Sequence, residues 1–249
     1  MIALAVMWVP ALAALVTTLA FRDSFRDYGW AIGRWKWLGL AYIATFFYAA
    51  APFLLAVATG NGALTMQWWP MAAGHLGLPA TPALGFLMLA TVNVLFAMIS
   101  ALGEEIGWRG FLVQTLAKRF GFRQIVVISW AVWLSFHLPA LLAGAYGNPA
   151  LPRAVAIANF AIMLVPLTVL MTWLRLRSGS LWPCVLAHAV HNAVIGEMFG
   201  SAIVPDAWTP WLVGEFGLLT PITAALAVGL LLWATRDRAA AGGMRPVAA

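Results

Sequence analysis

The chain has 249 residues, 63% hydrophobic and only 9% charged, with a net charge of +6 and a mean hydropathy of +0.91. A soluble domain carries about 25% charged residues, so this chain cannot cover itself with polar surface, and lipid is its expected solvent. No basic soluble face of the kind that binds nucleic acid is visible, and the single cysteine, Cys184, excludes an intramolecular disulfide.

Seven apolar segments follow in chain order, near residues 2–21, 37–58, 84–102, 124–144, 154–174, 181–200 and 216–234. A spanning helix needs about 20 mostly apolar residues. The expected fold is therefore all-α, a polytopic transmembrane bundle of seven helices, or eight if the amphipathic stretch 103–120 forms a membrane helix of its own. The first segment lacks a basic leader and reads as a membrane helix rather than a cleaved signal peptide. The fourteen tryptophans suit membrane interfaces. Loop 59–83 is rich in Gly and Pro and reads as turns.

Basic residues set the expected orientation. Arg22, Arg26, Arg34 and Lys36 lie between segments one and two, and Lys118, Arg119 and Arg123 precede segment four. Arg175 and Arg177 follow segment five; Arg236, Arg238 and Arg245 follow segment seven. Loop 59–83 has no Lys or Arg, and loop 201–215 carries only Asp206 and Glu215. Basic loops stay cytoplasmic, which puts the N-terminus out and the C-terminus in, with only Arg153 on the wrong side. The tail from Arg236 reads as disordered.

Against this apolar background "GEEIGWRGFL" places Glu104, Glu105 and Arg109 within six residues. Segment four contains His137 in "WLSFHLP", and segment six contains His188, His191 and Asn192 in "LAHAVHNAV". Ionisable groups in a membrane face the protein interior or a wet cavity, so these sets are expected to converge. Glu105 and Arg109 are four apart and can pair, whereas Glu104 points about 100° away. His188 and Asn192 also share a face. Pro139 frees the carbonyl of Ser135 beside His137. Counting residues from the helix ends puts Glu104 near the inner surface and His137 nearer the middle, a mismatch that means either that the boundaries are misplaced or that segment three ends later.

The ordered motifs Glu-Glu-x-x-x-Arg at 104–109, aromatic-x-x-x-His at 133–137 and His-x-x-x-Asn at 188–192 resemble those of the CAAX protease and bacteriocin-processing family. These intramembrane endopeptidases include the type II prenyl-protein proteases. The resemblance spans roughly residues 84–200, dividing the chain into N-terminal helices and outer loop (1–83), a catalytic helical core (84–200), and a last helix with a cytoplasmic tail (201–249). Trp133 stands where the family usually has Phe. The resemblance implies that Glu104 activates water, that His137 helps bind it, and that His188 and Asn192 bind the oxyanion. It gives Glu105 and Arg109 a supporting role. The substrate is then a peptide or protein at the bilayer, cleaved near the membrane surface, and the setting implied is an integral protein of a bacterial cytoplasmic membrane.

Amide hydrolysis needs an activated water, a proton donor for the leaving amine and a stabilised oxyanion. Glu104, His137 and His188 could supply three zinc ligands, but the His-Glu-x-x-His signature is missing. Neither a Ser-His-Asp arrangement nor Gly-x-Ser-x-Gly is present. Plainer readings stand beside these. Glu105–Arg109 could be a helix-end ion pair, and His137, His188 and Asn192 polar links between helices. His191 lacks a motif role and reads as a structural partner, Cys184 as packing, His75 as solvated, and Glu197 as sitting near an outer helix end. A non-enzymatic immunity or accessory protein is the alternative function. A proton-coupled transporter would show inverted repeats, and none is visible.

Overall fold

A computed structural model of the chain describes residues 2–65, 77, 79 and 81–240. Helices α1 (Ile2–Met7) and α2 (Val9–Phe21) are followed by a 3-10 turn (Phe25–Tyr28) and α3 (Trp35–Ala58). Helix α4 then runs continuously over Pro82–Ala117. Helices α5 (Phe122–Ala143), α6 (Arg153–Ser178) and α7 (Trp182–Asn192) follow, the last continued by a π turn (Ala193–Phe199). A short α8 (Thr209–Leu212) precedes α9 (Leu219–Ala240). His75 lies outside the described residues, as do 241–249; residues 236–240 of the tail continue α9.

The protein is an all-α polytopic membrane bundle. Among the described residues, five helical stretches are long and apolar enough to span by themselves: Leu4–Phe21, Trp35–Ala58, Pro82–Ala117, Phe122–Ala143 and Arg153–Ser178. The sixth and seventh apolar segments are also helical, but the regular stretch of the sixth, Trp182–Asn192, and the apolar part of the seventh, Leu219–Thr235, are shorter. Stretch 103–120 adds no separate span, because residues 103–117 extend α4. That later end answers the depth mismatch: Glu104 sits thirteen residues, about 20 Å of helix, before the end of α4.

Local signals explain the helix ends. Thr81 accepts from the backbone of Leu84 and is followed by Pro82 in the first turn. Gln124 returns its side chain to the Gly121 backbone at the start of α5. Helix α7 lies at the centre, packed against α3, α4 and α6, while α9 packs on α3 and α6. Cys184, Val185, Ala187, Ala189 and Val190 of α7 are all fully buried.

The loops fall into two groups. On the basic side Arg175 donates to the carbonyls of Arg109 (3.0 Å) and Asp27 (2.8 Å), and the Leu181 backbone bonds Gly29. On the other side β1 (Ala63–Leu64) pairs antiparallel with β2 (Ile203–Val204). There the Tyr146 hydroxyl bonds Glu215, and Asn159 donates to the Phe216 carbonyl. These are the groups that charge alone separates.

The N-terminal helices seat on α4 through Gly103 and Gly107. A Cβ at Gly103 would lie 2.7 Å from the Met7 carbonyl oxygen, and one at Gly107 2.5 Å from Pro10 Cβ. This Gly-x-x-x-Gly spacing lets backbones approach closely, and it frames Glu104 and Glu105.

Candidate active site

Residues 104 and 105 are the last of a regular stretch of α4, and a π turn covers Ile106–Leu112 directly after them. Such turns occur frequently at functional sites; of the two others among the described residues, one begins directly after Asn192 and one lies at Leu89–Asn93, away from the site. The two adjacent carboxylates diverge, as helix geometry requires.

Glu105 Oε1 accepts from Arg109 Nη1 at 2.8 Å and from His188 Nδ1 at 2.9 Å. All three side chains are buried, so each charge depends on the others rather than on water. The Arg109 guanidinium also lies 4.3 Å from the centre of the Trp133 ring. Arg109 Nε and Nη2 and Glu105 Oε2 are buried without protein partners.

Glu104 is 2% exposed and has no cationic partner among the described residues. Its Oε2 instead accepts two indole N–H bonds, from Trp108 at 3.1 Å and from Trp133 at 2.9 Å. Trp108 is one turn along the same helix; Trp133 comes from α5.

His137, one turn beyond Trp133, places Nδ1 3.0 Å from the Trp133 carbonyl. A carbonyl only accepts, so Nδ1 carries the hydrogen and the neutral ring offers a lone pair at Nε2. His188 is oriented in the same way: Nδ1 donates to Glu105, leaving Nε2 for chemistry. Its ring meets the Trp133 ring edge-on at 5.4 Å. Trp133 thus touches Glu104, Arg109, His137 and His188, and three different helices meet on it. Asn192 is half-buried one turn after His188, and its side chain bonds none of the described residues.

His191 turns elsewhere. Its Nδ1 lies 2.8 Å from the Tyr48 hydroxyl and its Nε2 3.2 Å from Glu215 Oε1, the structural partnership expected of it. Cys184 is buried and directs its thiol at the Met171 carbonyl at 3.2 Å. Glu197 is exposed.

The described residues contain no group of three His, Cys, Asp or Glu side chains gathered to hold a metal ion. Glu104, His137 and His188 each adjoin Trp133 and are not gathered into such a group. Sequence reasoning did not anticipate the indole donors Trp108 and Trp133, the seating glycines, or Tyr146 and Glu215. The indole of Trp108 carried a readable signal, since a buried Trp N–H needs an acceptor and Glu104 stands one helical turn before it.

Residues 82–194 match the family described as type II CAAX prenyl endopeptidase Rce1-like. A curated relative, CAAX prenyl protease 2 of Methanococcus maripaludis, is 26% identical over 138 residues. That alignment covers 54% of this chain and 49% of the relative, so the chain spans about half the length of the relative it matches.

Proposed function

We propose that this chain, whose residues 82–194 match the Rce1-like family of type II CAAX prenyl endopeptidases, is itself an intramembrane endopeptidase with Glu104 as its general base. The observation that carries this reading is the different treatment of two adjacent carboxylates. Glu105 is consumed by Arg109 and His188, whereas Glu104 is held through Oε2 alone by two neutral indoles. Environments that push paired carboxylates apart mark different roles.

In this mechanism Glu104 Oε1 takes a proton from water as its oxygen attacks the scissile carbonyl. His137 accepts a hydrogen bond from that water at Nε2. The Glu104 proton passes to the leaving amine as the C–N bond breaks, leaving a free carboxylate and a free amine. Asn192, together with His188 when its Nε2 is protonated, donates to the oxyanion; Glu105 is the counter-charge that the protonated His188 ring requires. Arg109 keeps Glu105 in place. No step is routed through a metal, since the three candidate ligands do not form a set.

The substrate is a peptide or protein segment presented in the bilayer, and residues 84–200 form the working core. The basic loops face the cytoplasm. The curated relative is named a prenyl protease, which makes a prenylated peptide one substrate to assay beside an unmodified membrane peptide. Purified protein in vesicles should cleave such a peptide, and Glu104→Gln should not. Equal cleavage by both proteins would refute the role of Glu104.

A further inference from the structure

The His137 ring is bounded by aromatic groups: Phe160 at 5.1 Å, Phe136 at 5.2 Å, Tyr146 at 5.7 Å and Trp133 at 6.3 Å between ring centres. Phe136 and Trp133 belong to its own helix and Phe160 to α6. Tyr146 alone comes from a loop, and Gly144 (φ +74°) and Gly147 (φ +146°) flank it. Such backbone conformations favour glycine and let the loop turn sharply. The Tyr146 ring also meets Phe160 at 5.5 Å and Phe216 at 5.3 Å, both edge-on.

What ties this loop down is a carboxylate from far along the chain. The Tyr146 hydroxyl donates to Glu215 Oε2. Glu215 Oε1 accepts from His191 Nε2, and His191 Nδ1 bonds the Tyr48 hydroxyl. A carboxylate only accepts, so Nε2 carries the hydrogen, and in the neutral ring Nδ1 accepts from Tyr48. His191 and Tyr48 are 1% and 2% exposed, a rigid anchor. His191 also sits three residues from His188, so one helix supplies both a site residue and the anchor. Glu215 lies outside the matched region 82–194.

We propose that Glu215 is a positioning residue: by holding Tyr146 through its hydroxyl, it keeps the Tyr146 ring against His137 and so fixes the orientation of the His137 imidazole. Its effect on turnover rests on the endopeptidase reading; its effect on His137 does not. With the tie gone, the Gly-flanked loop swings away and the His137 ring can turn, which moves Nε2 off the attacking water. Burial and the adjoining Glu215 carboxylate hold the Tyr146 hydroxyl well above its ordinary pKa, with Glu104 adding to this, so it remains a donor at working pH.

The test uses the full chain in vesicles. His137 is modified with diethyl pyrocarbonate and its rate read by peptide mass spectrometry, with the buried His188 as internal reference. Glu215→Ala and Tyr146→Phe should each raise His137 modification by about tenfold, the scale on which one hydrogen bond to a charged group shifts an equilibrium. In both, kcat on a membrane peptide should fall by about tenfold with KM within about twofold, and the double variant should be no worse than either single. Glu215→Gln, whose amide oxygen still accepts from Tyr146, should restore most of both signals. Should Glu215→Ala not fold, Tyr146→Phe, which removes one oxygen atom, carries the same comparison. Unchanged His137 modification in folded variants overturns the proposal, as does altered modification with unchanged kcat in an active protein. If the wild-type protein cleaves nothing while His137 modification still follows Glu215, the endopeptidase reading fails and the coupling of Glu215 to His137 stands.

Discussion

The indole N–H of Trp133 meets the Glu104 carboxylate at 2.9 Å, although 29 residues separate them in the chain. A Phe at this position would fill most of the same volume and donate nothing. Hydrogen bonds to charged groups contribute about 1.5–3 kcal/mol. Trp133→Phe should therefore lower kcat by roughly tenfold to a hundredfold and leave KM nearly unchanged. Trp108→Phe, which removes the longer bond and leaves Trp133 in place, should have the smaller effect. Steady-state kinetics in vesicles check both, and a fully active Trp133→Phe enzyme would remove Trp133 from the account.

The two carboxylates should part ways in stability as well as in turnover. Glu104→Gln keeps shape and removes an unpaired buried charge, so its melting temperature in detergent should match or exceed the wild type. Glu105→Gln leaves Arg109 and His188 facing each other without their shared anion. Breaking a buried ion pair costs roughly 3–5 kcal/mol, and the melting temperature should drop clearly. If the two variants melt in the reverse order, the assignments are exchanged.

Metal content separates two uses of His188. Elemental analysis of active protein should find substoichiometric zinc, and His188→Ala should leave that content unchanged while kcat falls by about a hundredfold to a thousandfold, as for loss of an oxyanion donor. Asn192→Ala should slow turnover more than it weakens substrate binding, since the oxyanion exists only beyond the ground state. Stoichiometric zinc, lost and regained together with activity, would require a ligand role for His188.

Gly107 tests the seat of α2. A methyl group there would press on Pro10 Cβ at 2.5 Å and on its carbonyl oxygen at 2.7 Å. Overpacking of this kind costs roughly 1–3 kcal/mol, so Gly107→Ala should melt earlier than the wild type. Gly39→Ala, with nothing within 4 Å of its added methyl, is the control and should not. Identical melting of the pair would mean that α2 yields easily.

Glu215 gives the acid limb of stability a direction. Burial pushes its carboxyl up, but hydrogen bonds from His191 and Tyr146 and the nearby His137 outweigh burial and leave it below its ordinary value of 4.5. A group depressed on folding stabilises fully above its unfolded pKa, and that contribution fades as pH falls through the folded value. Melting followed from pH 7 into the acid range should decline below about 4.5, and Glu215→Gln should flatten that decline. A limb of the same shape in both proteins would assign it to other carboxylates.

Hydropathy was enough to read the membrane bundle, because lipid leaves apolar runs few alternatives to helix. Loops that Arg and Lys sort together are in contact in the structure, as in the contact of Arg175 with Asp27 and of Tyr146 with Glu215. The divergence of Glu104 from Glu105 was legible because it follows from helical rotation alone. The boundary at residue 102 was misplaced because Glu104, Glu105 and Arg109 look like the end of an apolar run; mutual pairing and the Trp donors let them continue the helix instead. Glu215 was read only as loop charge, since its partners His191 and Tyr146 are 24 and 69 residues away and no local spacing links them.

If Glu104 is the general base proposed above, its burial to 2% exposure also constrains the molecules that can be cut. A segment crossing a bilayer keeps its backbone groups paired in a helix, since an unpaired amide there costs several kcal/mol. A helical amide is shielded by its own turn and cannot bring its carbonyl carbon to a recessed carboxylate. On the endopeptidase reading, selection would therefore fall on the backbone before any side chain is read: helices that unravel cheaply at Gly, Pro or Ser, or chains ending inside the membrane, would reach Glu104, while uniformly stable helices would pass it uncut.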